Sequence, residues 1–367
     1  MTFRLSRPGM LLVATGLVLA APALLLLGGR PGPPPSVALG SSDREGPVAG
    51  HHLRLVPPAS AAPTTVAPPR PGSPAPTRPT APAPTAPSGN AGSAQAAALP
   101  AFSHVFTIVM ENEESTSIIG SPAAPYINGL AGRYGLATNY YGASHPSLPN
   151  YLALTAGSTF GIASDCTTCY VTAVNIADQV EASGRSWRAY MEDMPAPCFA
   201  GAWSGAYAMK HDPFMYYNDI RTDAARCAAH VVPFTRFWTD LRTGQVPNYV
   251  FITPNMCNDM HDCPVSTGDA WLRSVVPAIT GSPAFRNGGV LFITWDEGAS
   301  GAGCCGDAWG GRVATLVISP MAIPGYRSGV AENHYSLLRT IEDAWHLSHL
   351  GAAGNPGTSA MREYFRS

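Results

Sequence analysis

Three short stretches hold residue types that can bind a metal or transfer a group. "MENEES" (110–115) offers Glu111 and Asn112, "SHPSLPNYLALTAGS" (144–158) offers Ser147 and Asn150, and "FITWDEG" (292–298) offers Asp296 and Glu297. Two adjacent carboxylates directly after an apolar run repel each other unless a cation or another partner is near. A set of carboxylates with an amide suits a hard divalent cation that prefers oxygen ligands. A solvated turn accounts for each stretch on its own, and Glu113 and Glu114 also suit the start of a helix, where the dipole favours acids.

Ser147 lies between Pro146 and Pro149. Proline fixes φ and disfavours helix in the residue before it, so the spacing predicts a rigid, non-helical turn that aims the hydroxyl, with a helix starting at Asn150. An ordinary turn has the same pattern. If a metal sits among Glu111, Asn112, Asp296 and Glu297, a serine bound to it becomes more acidic, and the ion neutralises charge on a transferred phosphoryl group. Asn150 would then bring its amide and the helix N-terminal N–H groups to the same anion. No serine sits in a G-x-S-x-G elbow, which removes the main acyl-transfer alternative.

Histidines supply further candidates. "PNMCNDMHDC" (254–263) packs Asn258, Asp259, His261 and Asp262 between two cysteines, with Asn255 just ahead of them. A disulfide-pinned turn explains everything there except His261, which can bind a phosphoryl oxygen or act as a general acid. His211 in "KHDPFMYY" (210–217) is offered in the same way, and His334, beside a helix N-cap, is a further substrate-binding candidate. His104, His346 and His349 read as core or solvated residues.

These residues need a scaffold that gathers them. "HVFTIVM" (104–110), "NYVFITP" (248–254), "GVLFITWDEG" (289–298) and "RVATLVISP" (312–320) read as buried strands that end in polar or turn residues. Helical stretches lie between them: "NIADQVEASG" closes on Gly184, and "NHYSLLRTIEDAWHL" has Asn333 as N-cap with Leu337, Leu338, Ile341 and Trp345 on one face. The alternation predicts an α/β fold, a sandwich around a mainly parallel sheet. Ligands in such sheets collect beyond the carboxyl ends of the strands, which would put Glu111, residues 255–262 and Asp296 on one edge.

Composition divides the 367 residues into three zones. Residues 1–30 join a basic start to an apolar run at 10–27, which predicts an export signal or, by the length of the run, an uncleaved membrane anchor. Residues 31–99 are rich in Pro, Ala and Thr and predict a disordered spacer. Residues 100–367 hold all eight cysteines and suffice for one sizeable core. An even cysteine count behind an export signal favours disulfides of unspecified pairing over a zinc site at "CTTC" (166–169). A formal net charge of −2 leaves no electrostatic footprint for nucleic acid.

Taken in order, "VMEN", "SHPSLPNYLALTAGSTFGIASDC", "KHDPFMYY", "PNMCNDMHDC" and "FITWDEG" resemble the bacterial phosphoesterase family of acid phosphatases and phospholipases C, within the alkaline phosphatase superfamily. The resemblance runs from about Val105 to Gly351. It implies a three-layer, alkaline-phosphatase-like α/β/α fold and a phosphoenzyme mechanism in which Ser147 is the nucleophile and Asn150 contacts phosphate. Glu111, Asn112, Asp296 and Glu297 match the family's metal ligands, and His211 and His261 match its phosphate-binding or proton-transferring histidines. Asn255 and Asp259 stand where two-metal members carry a second ligand set, an incomplete copy, so one divalent ion is expected, with Ca, Mg, Mn and Zn all open. The implied activity is a secreted or surface-tethered acid phosphatase acting on a phosphorylated small molecule or a phospholipid headgroup, phosphoinositides included. A phospholipase C-type phosphodiesterase is the alternative, and a calcium-stabilised surface binding module comes from another class.

Overall fold

The computed structural model describes residues 98–366. The export or anchor segment and nearly all of the spacer lie outside those residues. The strands are β1 (Val105–Met110), β2 (Gly135–Tyr141), β3 (Trp187–Met191), β4 (Trp203–Ser204), β5 (Tyr207–Ala208), β6 (Val231–Pro233), β7 (Tyr249–Thr253), β8 (Val290–Trp295), β9 (Arg312–Ile318), β10 (Arg327–Ser328) and β11 (Glu332–Asn333). One sheet runs β10-β2-β9-β8-β1-β7-β3-β6, with β11 also pairing β2, while β4 and β5 form a separate hairpin. Only β9 opposes its neighbours β8 and β2; every other pairing in the sheet is parallel.

β1, β7 and β8 are buried along their whole length, as strands covered on both faces must be. Helices flank the sheet to give the expected three-layer α/β/α sandwich. The helix Ile176–Ala182 opens on a capping box at Asn175, and Gly184 follows its end at φ +76°. The helix His334–Trp345 is capped by Asn333, and Leu337, Leu338, Ile341 and Trp345 are all buried.

One expectation is corrected. Ser147 is not in a turn before the helix but opens it: the helix runs Ser147–Ala156, with Pro146 as N-cap and Pro149 in the first turn. A helix's first N–H groups have no intrahelical acceptor, so a proline there loses nothing and its φ already fits. Ser147 therefore sits where helix N–H groups point outward. All ten residues of the helix are buried. Tyr151 on this helix meets Phe251 of β7 edge-on, with ring centroids 6.4 Å apart. Phe214 packs on the same Phe251 at 5.5 Å, which ties the helix to the middle of the sheet.

All eight cysteines are paired, as Cys166–Cys169, Cys198–Cys227, Cys257–Cys263 and Cys304–Cys305. The "CTTC" pair is a disulfide and not a zinc ligand pair. Four disulfides suit an oxidising compartment. Among the described residues no helix is long and apolar enough to cross a membrane.

The ends of β2, β8 and β9 meet at Gly142, whose N–H donates to the Gly311 carbonyl at 3.0 Å. A Cβ at Gly142 would lie 2.7 Å from the carbonyl oxygens of both Asp296 and Gly310, which are backbone atoms that cannot swing aside. Gly142→Ala should therefore displace Asp296. We expect kcat/KM to fall by roughly 100-fold, the cost of about 1 Å of misplacement, while circular dichroism still reports the native fold. Unchanged kinetics would show that the strand end tolerates the methyl group.

Candidate active site

β1, β7 and β8 run parallel and end together, so the residues after them share one edge. Glu111 directly follows β1 and is fully buried. Its Oε2 accepts from Ser147 Oγ at 3.0 Å and its Oε1 from the Tyr151 hydroxyl at 2.5 Å. The Tyr151 ring stacks on His211 at a centroid distance of 5.3 Å. His211 Nε2 lies 3.2 Å from Glu111 Oε1, and its Nδ1 lies 3.3 Å from Asp259 Oδ2. Neither contact leaves those atoms satisfied: among the described residues, His211 Nε2 and Asp259 Oδ2 are buried without a hydrogen-bond partner.

Asp296 follows β8 and is also fully buried. Its Oδ1 accepts from the backbone N–H of Asn112 at 3.1 Å, while Oδ2 has no partner among the described residues. Asn112 adopts φ +59°, which asparagine tolerates better than most residues, and this turns its N–H back toward Asp296. Glu297 Oε1 lies 3.5 Å from Ser147 Oγ, and His145 contacts its other oxygen.

Four carboxylates thus crowd the ends of three strands. Burial, with Asp296 and Asp259 beside it, pushes Glu111 well above the usual carboxylate range. Asp296 is raised by burial and by Glu297. Burial carries Asp259 to about 8 and Glu297 to about 7. Such an assembly asks for positive charge.

The chain supplies some of it through Lys210, its only lysine. Lys210 Nζ lies 3.4 Å from Ser147 Oγ, 3.0 Å from Asp165 Oδ2 and 3.2 Å from His261 Nε2. Burial works against its charge, but Glu111, Asp165 and Asp296 raise its pKa above the ordinary lysine value. His211 is driven the other way, well below the usual histidine range, by burial and by Lys210 and His261. It is therefore neutral, as a metal ligand must be.

Glu111, His211 and Asp259 each bring one donor atom within 4.8 Å of the others. With partnerless atoms on His211, Asp259 and Asp296 aimed into a buried anionic space, this donor set fits a divalent cation. The tight triad differs from the expected quartet: it takes in His211 and Asp259, while Asn112 is seen to contribute its backbone N–H.

Two expected contacts to substrate are placed differently. Asn150 Oδ1 accepts from the N–H groups of Ala143 and Ser144, and its Nδ2 donates to the carbonyls of Ser144 and Pro146. The amide is thus spent on holding the loop before Ser147, because that buried loop has backbone groups that need partners. His334 is fully buried, with Nε2 donating to the Asp296 carbonyl and Nδ1 accepting from the Tyr140 hydroxyl. Burial lowers it to about 4, so it stays neutral in that role and steadies the end of β8. Tyr151, Asp165 and Lys210 were missed from the sequence. For Lys210 a signal existed: the only lysine of the chain stands directly before the candidate His211.

A mainly parallel sheet with one reversed strand, and a serine at a helix N-terminus facing buried carboxylates, define a hydrolase of alkaline phosphatase-like fold. A solved protein of the alkaline phosphatase superfamily from Vibrio parahaemolyticus superposes with a TM-score of 0.50 at 13% identity, covering 70% of this chain and 72% of that one. The phosphoesterase family model matches residues 106–348, and the chain belongs to that family. It is 33% identical to a phosphatidylinositol-3-phosphatase of Mycobacterium tuberculosis, across 71% of this chain and 82% of that protein. It is 31% identical to a phosphate-repressible acid phosphatase of Penicillium chrysogenum, across 71% of this chain and 65% of that one. The chain is an enzyme of the phosphoric monoester hydrolase class.

The raised carboxyls give a pH signature to protein stripped of metal by a chelator. Folded-state pKa values above the unfolded ones mean that the folded form holds more protons, so this contribution to stability is complete below about pH 4 and is lost as pH rises through about 7 and 8. The melting temperature in EDTA should fall between pH 5 and pH 9, and an added divalent cation should raise it most at the alkaline end. A cation effect equal at both ends would contradict a metal site built on these carboxylates.

Proposed function

We propose that the protein removes phosphate from monoesters through a phosphoserine on Ser147, assisted by one divalent ion. The observation that carries this reading is Ser147 Oγ, buried at a helix N-terminus between Glu111 Oε2 at 3.0 Å and Lys210 Nζ at 3.4 Å. Glu111 and Asp259, with His211 and the neighbouring Asp296 and Glu297, would hold the ion. When bound, it supplies a Lewis acid that lowers the serine pKa and offsets phosphoryl charge.

Ser147 Oγ attacks phosphorus and passes its proton toward Glu111 Oε2, its hydrogen-bond acceptor. The bond to the leaving oxygen breaks as that oxygen takes a proton from the Lys210–His261 pair. Lys210 and the Ser147 N–H stabilise the equatorial oxygens, since the Leu148 N–H is given to Asp165 at 3.0 Å and Pro149 has none. Water then attacks the phosphoserine and gives a proton back to the Lys210–His261 pair, while the bond from phosphorus to the serine oxygen breaks and that oxygen takes the proton held by Glu111, releasing inorganic phosphate and restoring the Ser147 hydroxyl. Asp262 accepts from His261 Nδ1 at 2.7 Å and orients that ring. Asn150 and His334 act as positioning residues behind Ser147 and Asp296.

Phosphoinositide monoesters are the natural-substrate class favoured by the mycobacterial relative, whose name gives that activity. The disulfides favour work outside the cytoplasm, and attachment through residues 10–27 would place the enzyme at a membrane surface. The family membership favours an enzyme over a calcium-stabilised binding module.

Hydrolysis of p-nitrophenyl phosphate and p-nitrophenylphosphorylcholine at pH 5 and pH 8 tests the reading. Ser147→Ala should abolish monoester turnover and keep the fold, and Lys210→Met should lower kcat by about 100-fold or more, the usual loss for one transition-state donor. A preference for the diester would shift the assignment to phospholipase C chemistry. Full activity in Ser147→Ala would sink the phosphoserine route.

A further inference from the structure

A second cleft, of about 560 Å³, opens where β3 and β6 end. That volume lies in the range of small-molecule sites. Phe234, Trp238 and Trp271 line it together with Glu192 and Asp193. The Phe234 ring centroid is 5.6 Å from those of both tryptophans, at interplanar angles of 70° and 38°.

The two carboxylates are held but not neutralised. Glu192 Oε1 accepts from Trp271 Nε1 at 3.0 Å, and its Oε2 accepts from Asn255 N and Asn258 Nδ2, each at 2.9 Å. Asp193 Oδ2 accepts from Asn255 Nδ2 at 2.8 Å. Every one of these donors is uncharged. Among the described residues no lysine, arginine or histidine lines the cleft, and Arg236, the nearest cation along the flanking helix, is tied to Asp240 at 2.8 Å. Two uncompensated negative charges beside three aromatic rings select for one ligand chemistry. A hydrated metal ion gains nothing from the rings, and a neutral sugar leaves both charges unanswered. An organic cation satisfies both, since ring faces attract ammonium groups and carboxylates supply the counter-charge.

We propose that this cleft binds an organic ammonium group, seated against Trp238 and Phe234 with Glu192 and Asp193 as its counter-charges. The site is separate from Ser147 yet close to it along the chain: Asn255, which holds Glu192 and Asp193, also accepts the N–H of Asp259 through its carbonyl at 2.9 Å. An occupied cleft thus bears on the loop that carries one arm of the metal triad. The ammonium can come from a substrate headgroup or from a separate small ligand.

Calorimetric titration of the full chain with tetramethylammonium, choline and ethanolamine, against the neutral isostere 3,3-dimethyl-1-butanol, tests the proposal. At least one of the three cations should bind saturably and about tenfold or more tighter than the alcohol, as expected for a cation near rings and carboxylates. Trp238→Ala and Asp193→Asn should each weaken that binding about fivefold or more. Both residues are exposed, and asparagine accepts the φ of +59° at position 193, so the variants should keep the fold and their hydrolysis of p-nitrophenyl phosphate. Binding must also persist in Ser147→Ala, which separates this site from the reaction. Choline that competes with substrate identifies a headgroup subsite, and choline that binds without competing identifies a separate ligand; either outcome supports the cleft. Equal affinity for the neutral alcohol, binding of methyl glucoside in place of the cations, absence of binding, or unaffected variants would overturn it.

Discussion

Repulsion among four buried carboxylates is the constraint around which the catalytic edge is organised. Glu111, Asp259, Asp296 and Glu297 are almost wholly withdrawn from water, and the one lysine of the chain stands among them. Burying a single uncompensated carboxylate is already expensive. The surroundings answer by giving each acid a donor or a fixed frame: Tyr151 and Ser147 for Glu111, the His261 N–H for Asp259, the Asn112 N–H for Asp296, His145 for Glu297. What those donors leave over is an unspent demand for positive charge, directed at the space in front of Ser147.

The parallel sheet makes that crowding possible. Three strands that start on one side and end on the other deliver their following residues to the same line, and helix Ser147–Ala156 closes on that line from one face. Packing and chemistry meet in Tyr151. Its ring is anchored through Phe251 to the sheet, and its hydroxyl fixes the carboxylate facing the serine. The hydrophobic core thereby sets the position of Ser147 relative to its hydrogen-bond acceptor.

Strand periodicity and the polar residues that end each apolar run made the sheet legible, and with it the shared edge of Glu111, the loop after β7 and Asp296. Hydrogen-bond economy was not legible. Asn150 and His334 have the residue types of ligand contacts, but backbone groups claim the polar atoms of Asn150, and the Asp296 carbonyl and the Tyr140 hydroxyl, both distant in sequence, claim those of His334. Lys210 and Asp165 stand far apart in the chain and pair only once the fold is made, which brings Lys210 to Ser147 and His261. The error over the start of the helix came from reading proline as a barrier everywhere, when in a first helical turn it is a natural occupant.

The reversed direction of β9 has a consequence for how the enzyme could diversify. Because β9 returns alongside β8, the segment between them, residues 296–311, leaves and re-enters the sheet at the same edge, with Gly298 and Gly310 joined by a hydrogen bond at its neck. It is a closed loop whose base is fixed by the sheet and whose interior, with Cys304, Cys305 and the exposed Trp309, carries no strand register. Insertions or replacements at residues 299–309, past Asp296, Glu297 and the neck, would reshape the rim around Ser147 without disturbing the pairing of β8 with β9, so substrate range can drift in this fold while the reaction centre stays in place.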